Sequence, residues 1–331
     1  MNNTQTTRHP HPLRLTEAGM GCIVLPDMFA DTLERAILET LAYSDIFKYP
    51  LQLLELHRYL PMYIEVEKLS SALDMLGAKV GKKADYYFLP GRAEIVDIRE
   101  QREARSRSLL PHAMTYGCIL GSLPFIRMVT LTGSLAVLNS SENADFDYML
   151  VTAPNRVWTA RAFALLFNRL TRLFGHTLCP NLILSENALA WSTHDLYSAR
   201  EFCQMVPITG IDVYRKLMKA NQWVKDFLPN ALQTSEVSKT SEVSLQNLLE
   251  LPLRSRLGNI IESWEMNRKI VRFSKLPGFG EETVFNADMC QGNFDNHKKW
   301  TRAALQERLR KLNLESDSLL SAAMGANFLI P

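Results

Sequence analysis

Apolar residues recur at helical spacing from Asp31 onward, with Leu33, Ile37, Leu38 and Leu41 on one side of a first helix. A second short helix is expected after Tyr49-Pro50, carrying Leu51, Leu54, Leu56 and Leu60, and a third over about 64–76 with Val66, Leu69, Leu73 and Leu76 inward. The stretch KVGKKADYYFLPG then alternates about a Gly-Lys-Lys turn, the pattern of two short paired strands. Between 91 and 124 arginines and acids alternate before a more apolar half, which predicts a solvated connecting helix with i,i+4 pairs and a break or kink at Pro111. RMVTLTG, DFDYMLVT and LCPNLILS read as strands, and RVWTARAFALLFNRLTRLFG as a long helix between the second and third of them.

These elements divide the chain into a polar arm (1–26), a winged-helix-like module (27–91), a connecting helix (92–124) and a mixed-sheet core with following helices (125–230). The short polar duplication TSEVSKTSEVS marks a linker over 231–246, because it has nothing to bury. Residues 247–331 are expected to be helical, as two helices around a Gly- and Asn-containing loop. The fold class is therefore α+β. The third helix of the first module offers Glu65, Glu67 and Asp74 against Lys68, and its basic residues are confined to the wing at Lys79, Lys82 and Lys83. A helix that reads DNA needs donors for phosphates and base edges, so packing or partner docking is favoured over sequence-specific DNA binding.

Composition narrows the partners. The net charge of +2 over 331 residues leaves no strong nucleic-acid footprint. The N-terminus lacks the apolar core of a signal peptide and no later segment is long enough to span a bilayer, so a cytoplasmic protein with no membrane partner is expected. The five cysteines lie far apart without a C-x-x-C pair, which argues for free, mostly buried thiols. GAKVGKK lacks the spacing and the Ser/Thr of a P-loop, and GMGCIV lacks the third glycine of a dinucleotide fingerprint. His194-Asp195 has no further histidine at ligand spacing, so a helix cap or surface pair is expected. Trp158, Phe163, Phe167 and Phe174 lie mostly on one helix and read as core or interdomain packing.

Gly133-Ser134 precedes Asp145 and Asp147 in LTGSLAVLNSSENADFDYMLVT, and this is the stretch that carries chemistry. Residues two apart on a strand share a face, so Asp145 and Asp147 can reach one metal cluster while Phe146 points into the core. Carboxylate-held Mg²⁺ neutralises a triphosphate and activates an attacking oxygen, and the bare glycine lets backbone approach phosphate. The pair of motifs resembles the DNA polymerase β-like nucleotidyltransferase superfamily directly over about residues 126–186. The arrangement of modules is similar to bacterial nucleotidyltransferase-domain proteins with an N-terminal winged helix. The resemblance implies a Mg²⁺- or Mn²⁺-dependent enzyme moving a nucleoside monophosphate from an NTP, ATP among the candidates, to a small-molecule acceptor. It implies nucleotide contacts at Gly133 and Ser134, and metal ligation with catalysis at Asp145 and Asp147. Two positions depart from the superfamily: Leu138 stands where a glycine is common, and Asn181 stands where a third carboxylate belongs on the next strand. An amide is a weaker, neutral ligand, and Glu186 is the substitute if the strand register differs. The competing expectation is a catalytically weak or inactive nucleotide-binding regulator that uses the winged helix for partner or DNA docking.

Overall fold

The computed structural model describes residues 26–142, 144–231, 246 and 250–314. The expected arm, all of it but Pro26, the duplicated linker sequence and Cys22 lie outside the described residues. The N-terminal part comprises α1 (Pro26–Asp45), β1 (Leu51–Gln52), α2 (Leu53–Tyr59), α3 (Val66–Leu76), β2 (Gly81–Lys83) and β3 (Tyr86–Phe88). The hairpin falls where alternation predicts it. Leu51, expected to open a helix, instead pairs with Tyr87, giving a three-stranded sheet of order β1-β3-β2. Gln52 is extended and its amide donates to the Glu55 carboxylate at 2.8 Å, which sets the helix start at Leu53.

Helix α4 (Glu94–Ser122) runs unbroken for 29 residues through Pro111. The expected break is absent because Pro111 and Arg107 both lie on the exposed side, where water can satisfy the carbonyl that a proline leaves without its helical donor. The helix is also no mere spacer. Ala113 and Leu120 belong to the core, and Tyr148 donates its hydroxyl to the Ala113 carbonyl at 2.7 Å.

The central sheet is formed by β4 (Ile126–Leu131), β5 (Phe146–Thr152), β6 (Leu178–Ser185) and β7 (Val206–Thr209), joined by β8 (Thr283–Phe285) and β9 (Met289–Gly292). Its order is β7-β4-β5-β6-β9-β8, with β5 antiparallel to β4 and parallel to β6. The parallel pair requires a crossover, which α6 (Val157–Thr171) supplies. Val129, Leu131, Tyr148, Leu150 and Ile183 pack on one face with Leu120, Trp158 and Ala164. Met128, Met149, Val151 and Leu184 pack on the other with α7 (Leu196–Gln204), α8 (Ile211–Ala220) and the short α9 (Val224–Phe227), in a cluster that continues through the N-terminal helices.

The C-terminal region departs from the all-helical expectation. Between α10 (Arg256–Phe273) and α11 (His297–Lys311), the hairpin β8–β9 extends the central sheet, Cys290 pairing with Ile183. The edge of β6 otherwise carries unpaired backbone donors and acceptors, and Cys290 adds its buried side chain to the core. The four described cysteines are free, Cys290 being the fully buried one.

Buried carboxylates tie distant segments together. Asp45 accepts from Arg92 Nε at 2.7 Å and Arg308 Nε at 2.8 Å. Glu262 of α10 accepts from the Trp158 and Thr159 amides at 2.8 and 2.7 Å, neutralising the N-terminus of α6. Glu250 accepts from the Phe125 amide, from both Arg127 terminal nitrogens and from Arg254.

Burial opposes ionisation of Glu250, but the hydrogen bonds from Arg127, Arg254 and Phe125 outweigh it and hold the carboxyl down at about 2. A depressed acid stabilises the fold above its ordinary value, and that contribution is lost as pH falls from 4.5 towards 2. The contribution at neutral pH is on the order of 3 kcal/mol. Glu250→Gln is therefore expected to lower the melting temperature at pH 7 and to flatten its fall between pH 4.5 and 2, as followed by calorimetry; equal slopes for both proteins would contradict this.

Candidate functional site

Strand β5 sets the site. Phe146 is 2% exposed and faces the α6 side, while Asp147 shares its face with Met149 and Val151. Asp145 lies one alternation earlier, exposed beyond the strand's first residue. Strand β4 ends beside it: Leu131 pairs with Tyr148, and the Thr132 amide donates to the Asp147 carbonyl at 2.9 Å. The chain then turns into the one-turn helix α5 (Gly133–Ala136).

Gly133 is required on two counts. Its φ is +66°, and a Cβ there would lie 2.3 Å from Asp147 Oδ2, so the carboxylate occupies the space a side chain would take. Ser134 is half-exposed, and its carbonyl accepts from the Asn139 amide at 2.8 Å, closing the turn. Leu138 adopts φ +55°, a left-handed conformation that glycine takes freely and that costs a leucine about 1–2 kcal/mol. The departure noted at this position is thus a strained one.

Asn181 meets Asp147. Its Nδ2 donates to Asp147 Oδ1 at 3.2 Å. The register explains this contact: Asp147 pairs with Cys179 and Met149 with Leu182, so β6 holds one extra residue opposite Tyr148. Glu186 cannot take the same role. It follows Ser185, which pairs with Thr152, and so lies at the far end of β6 from Asp147.

Burial, and then the charge of Asp145, push the Asp147 carboxyl up to about 7, with a hydrogen bond from Cys179 acting the other way. The Cys179 thiol is pushed up to about 12, by burial first and by Asp147 and Asp145 next. Glu201, half-buried on α7, is raised to about 7 by burial and by the field of Asp147. The sequence reading missed Glu201. It sits mid-helix in SAREFCQM, with no local motif to mark it, and is brought in by the packing of α7 against α5.

Asp147, Asp145 and Glu201 thus form an electronegative corner, and a bound cation would lower the raised Asp147 and Glu201 carboxyls again. Among the described residues no group of three or more His, Cys, Asp or Glu side chains is positioned to hold a metal ion by itself. One or two carboxylates completed by oxygen ligands from elsewhere and by water are nevertheless a common Mg²⁺ environment, so the donor set fits a cation that brings further ligands with it.

His194 and Asp195 behave as expected of a cap: Asp195 Oδ1 accepts from the Ser198 amide at 2.8 Å at the start of α7, and His194 stacks on Trp223. Trp158 is fully buried, and Phe167 packs against the same core, but Phe174 is exposed. No helix among the described residues is long and apolar enough to cross a membrane. Compared with protein-family models, with curated proteins and with solved structures, the chain finds no significant match in any of the three.

Gly133→Ala is expected to destabilise the fold by about 1–3 kcal/mol, from the strained φ and the displaced carboxylate. The same variant should shift the carbon-13 resonance of the Asp147 carboxyl. A variant as stable as the parent, with that resonance unmoved, would show that the glycine is dispensable.

Proposed function

We propose that the chain is a metal-dependent nucleotidyltransferase that moves a nucleoside monophosphate from an NTP to a small-molecule acceptor, releasing pyrophosphate. The observation that carries this reading is the convergence of three separate segments on one carboxylate: the Gly133 turn, Asp147 itself and Asn181 at 3.2 Å. Asp145 and Asp147 would hold Mg²⁺ or Mn²⁺, with the Asn181 carbonyl oxygen as a weak third ligand. When bound, the ion supplies charge neutralisation for the triphosphate and a lowered pKa for the attacking oxygen. The Asp147 carboxylate fills the space beside Gly133, so phosphate is met by the Ser134 hydroxyl, which donates to a phosphate oxygen. Glu201, raised to about 7, is suited to accept the proton of the acceptor hydroxyl at its carboxylate oxygen.

The N-terminal elements are read as a winged helix that docks a partner. Lys79 and Lys83 are engaged by Glu34 and Asp97 at 2.7 and 2.5 Å, and Lys82 lies over the Tyr87 ring, so the wing directs little free charge at a DNA backbone. The Asn181–Asp147 hydrogen bond favours a second reading. A neutral amide already satisfies one Asp147 oxygen, as in a nucleotide-binding regulator with weak or no catalysis.

Mg²⁺ or Mn²⁺ is expected to tighten ATP binding in titration calorimetry, and the Asp145→Ala/Asp147→Ala double variant to lose that gain while keeping its fold. Equal metal-dependent affinity in the double variant would place the site elsewhere. Asn181→Asp separates the two readings. It is expected to raise metal-dependent pyrophosphate release for an enzyme, whereas a variant with unchanged release but intact metal-dependent ATP binding supports the regulator.

A further inference from the structure

Helix α10 packs Met266, Ile270 and Phe273 against the core and is apolar on its outer side as well. It buries Glu262 and Glu265 against the protein and exposes Leu257, Ile260, Ile261, Trp264 and Val271. At 100° per residue these five span an arc of about 100°, with Glu262 on the far side of the helix and Glu265 at the border of the arc. Trp264, at its centre, is 62% exposed, with the Arg268 guanidinium 5.1 Å from its ring. Glu262 joins α10 to the start of α6, and the second half of α6 repeats the pattern, exposing Leu166 and Leu170 and continuing to Leu173 at 80% and Phe174 at 74%.

The charge on these two helices has a single sign at the surface. Residues 153–176 contain no acid, and the two acids of residues 251–279 are Glu262 and Glu265, both buried. Arg169, Arg172, Arg256, Arg272 and Lys275 are exposed, while Arg268, beside Trp264, is paired with Glu265 at 2.5 Å. Exposed cations flank the apolar side chains on both helices.

We propose that this α6–α10 face lies on an anionic phospholipid bilayer, the apolar stripe entering the headgroup boundary and the arginines pairing with lipid phosphates. An amphipathic helix with Trp and aliphatic residues beside Arg and Lys binds in the plane of such an interface, and each cation near the surface adds about 1 kcal/mol. A second copy of the chain fits less well, since it would bring cations of the same sign together. The proposal departs from the expectation of no membrane partner and is independent of the nucleotide reading. Asp147 faces the opposite side of the sheet, so a docked chain keeps its carboxylates accessible.

The test is co-sedimentation of the full chain with vesicles of phosphatidylcholine alone, or of phosphatidylcholine with an equal part of phosphatidylglycerol. Binding is expected to the anionic vesicles only and to be reversed by high salt. Ile260→Glu/Trp264→Glu and Arg169→Glu/Arg272→Glu should each weaken it at least about tenfold. Both pairs are exposed, so their melting temperatures should match the parent's. A parent chain that stays in the supernatant with anionic vesicles overturns the proposal. So does an Ile260→Glu/Trp264→Glu variant that binds vesicles unchanged, or one whose sole effect is to convert a dimer into a monomer in sedimentation equilibrium.

Discussion

The two-residue alternation of β5 is the constraint from which the rest of the molecule is placed. Tyr148 and Leu150 commit one face of the sheet to α4 and α6, and Met149 and Val151 commit the other to α7 and the N-terminal helices. Extending the second row beyond the core brings Asp147, and then Asp145, to the strand's leading end. A slip of one residue would bury both acids and expose Phe146. Because β5 is central, with β4 and β6 bonded on either side, its register also fixes where the Gly133 turn and Asn181 arrive.

Much of this was legible in the sequence, for a physical reason. Strands β4, β5 and β6 and helix α6 are long, strongly patterned elements whose period is set by burial, and the placement of Asn181 beside Asp147 follows once β6 is the neighbour of β5. Shorter features were not legible. Strand β1 has only two residues, and the β8–β9 hairpin is held by the open edge of β6 rather than by its own pattern. Pro111 misled because a helix tolerates it where the freed carbonyl faces water. Glu201 was invisible because nothing local distinguishes a glutamate that faces a distant aspartate from one that faces solvent.

Buried carboxylates do similar structural work at several places, and the contrast with Asp147 is informative. Asp45, Glu250 and Glu262 are each met by cations or backbone amides, the condition for burying a charge. Asp147 has an amide, a thiol and a bare Cα around it, and two other acids nearby. Asp147 is therefore raised to about 7 where Glu250 is lowered to about 2. Leu138, at φ +55°, adds backbone strain in the same turn region. Left-handed backbone occurs elsewhere too, at Lys48, Ala84 and Phe125, so it is the unmatched charge at Asp147, beside a turn that only glycine fits, that marks this corner as a place for a cation.

Direct titration of the Asp147 carboxyl by carbon-13 NMR, with and without Mg²⁺–ATP, bears on this most closely. Without ligand the resonance is predicted to titrate near 7, and with Mg²⁺–ATP bound its midpoint is predicted to drop into or below the ordinary carboxylate range. A midpoint that stays near 7 when the nucleotide and metal are saturating would contradict the account, because the carboxylate would then have met no cation.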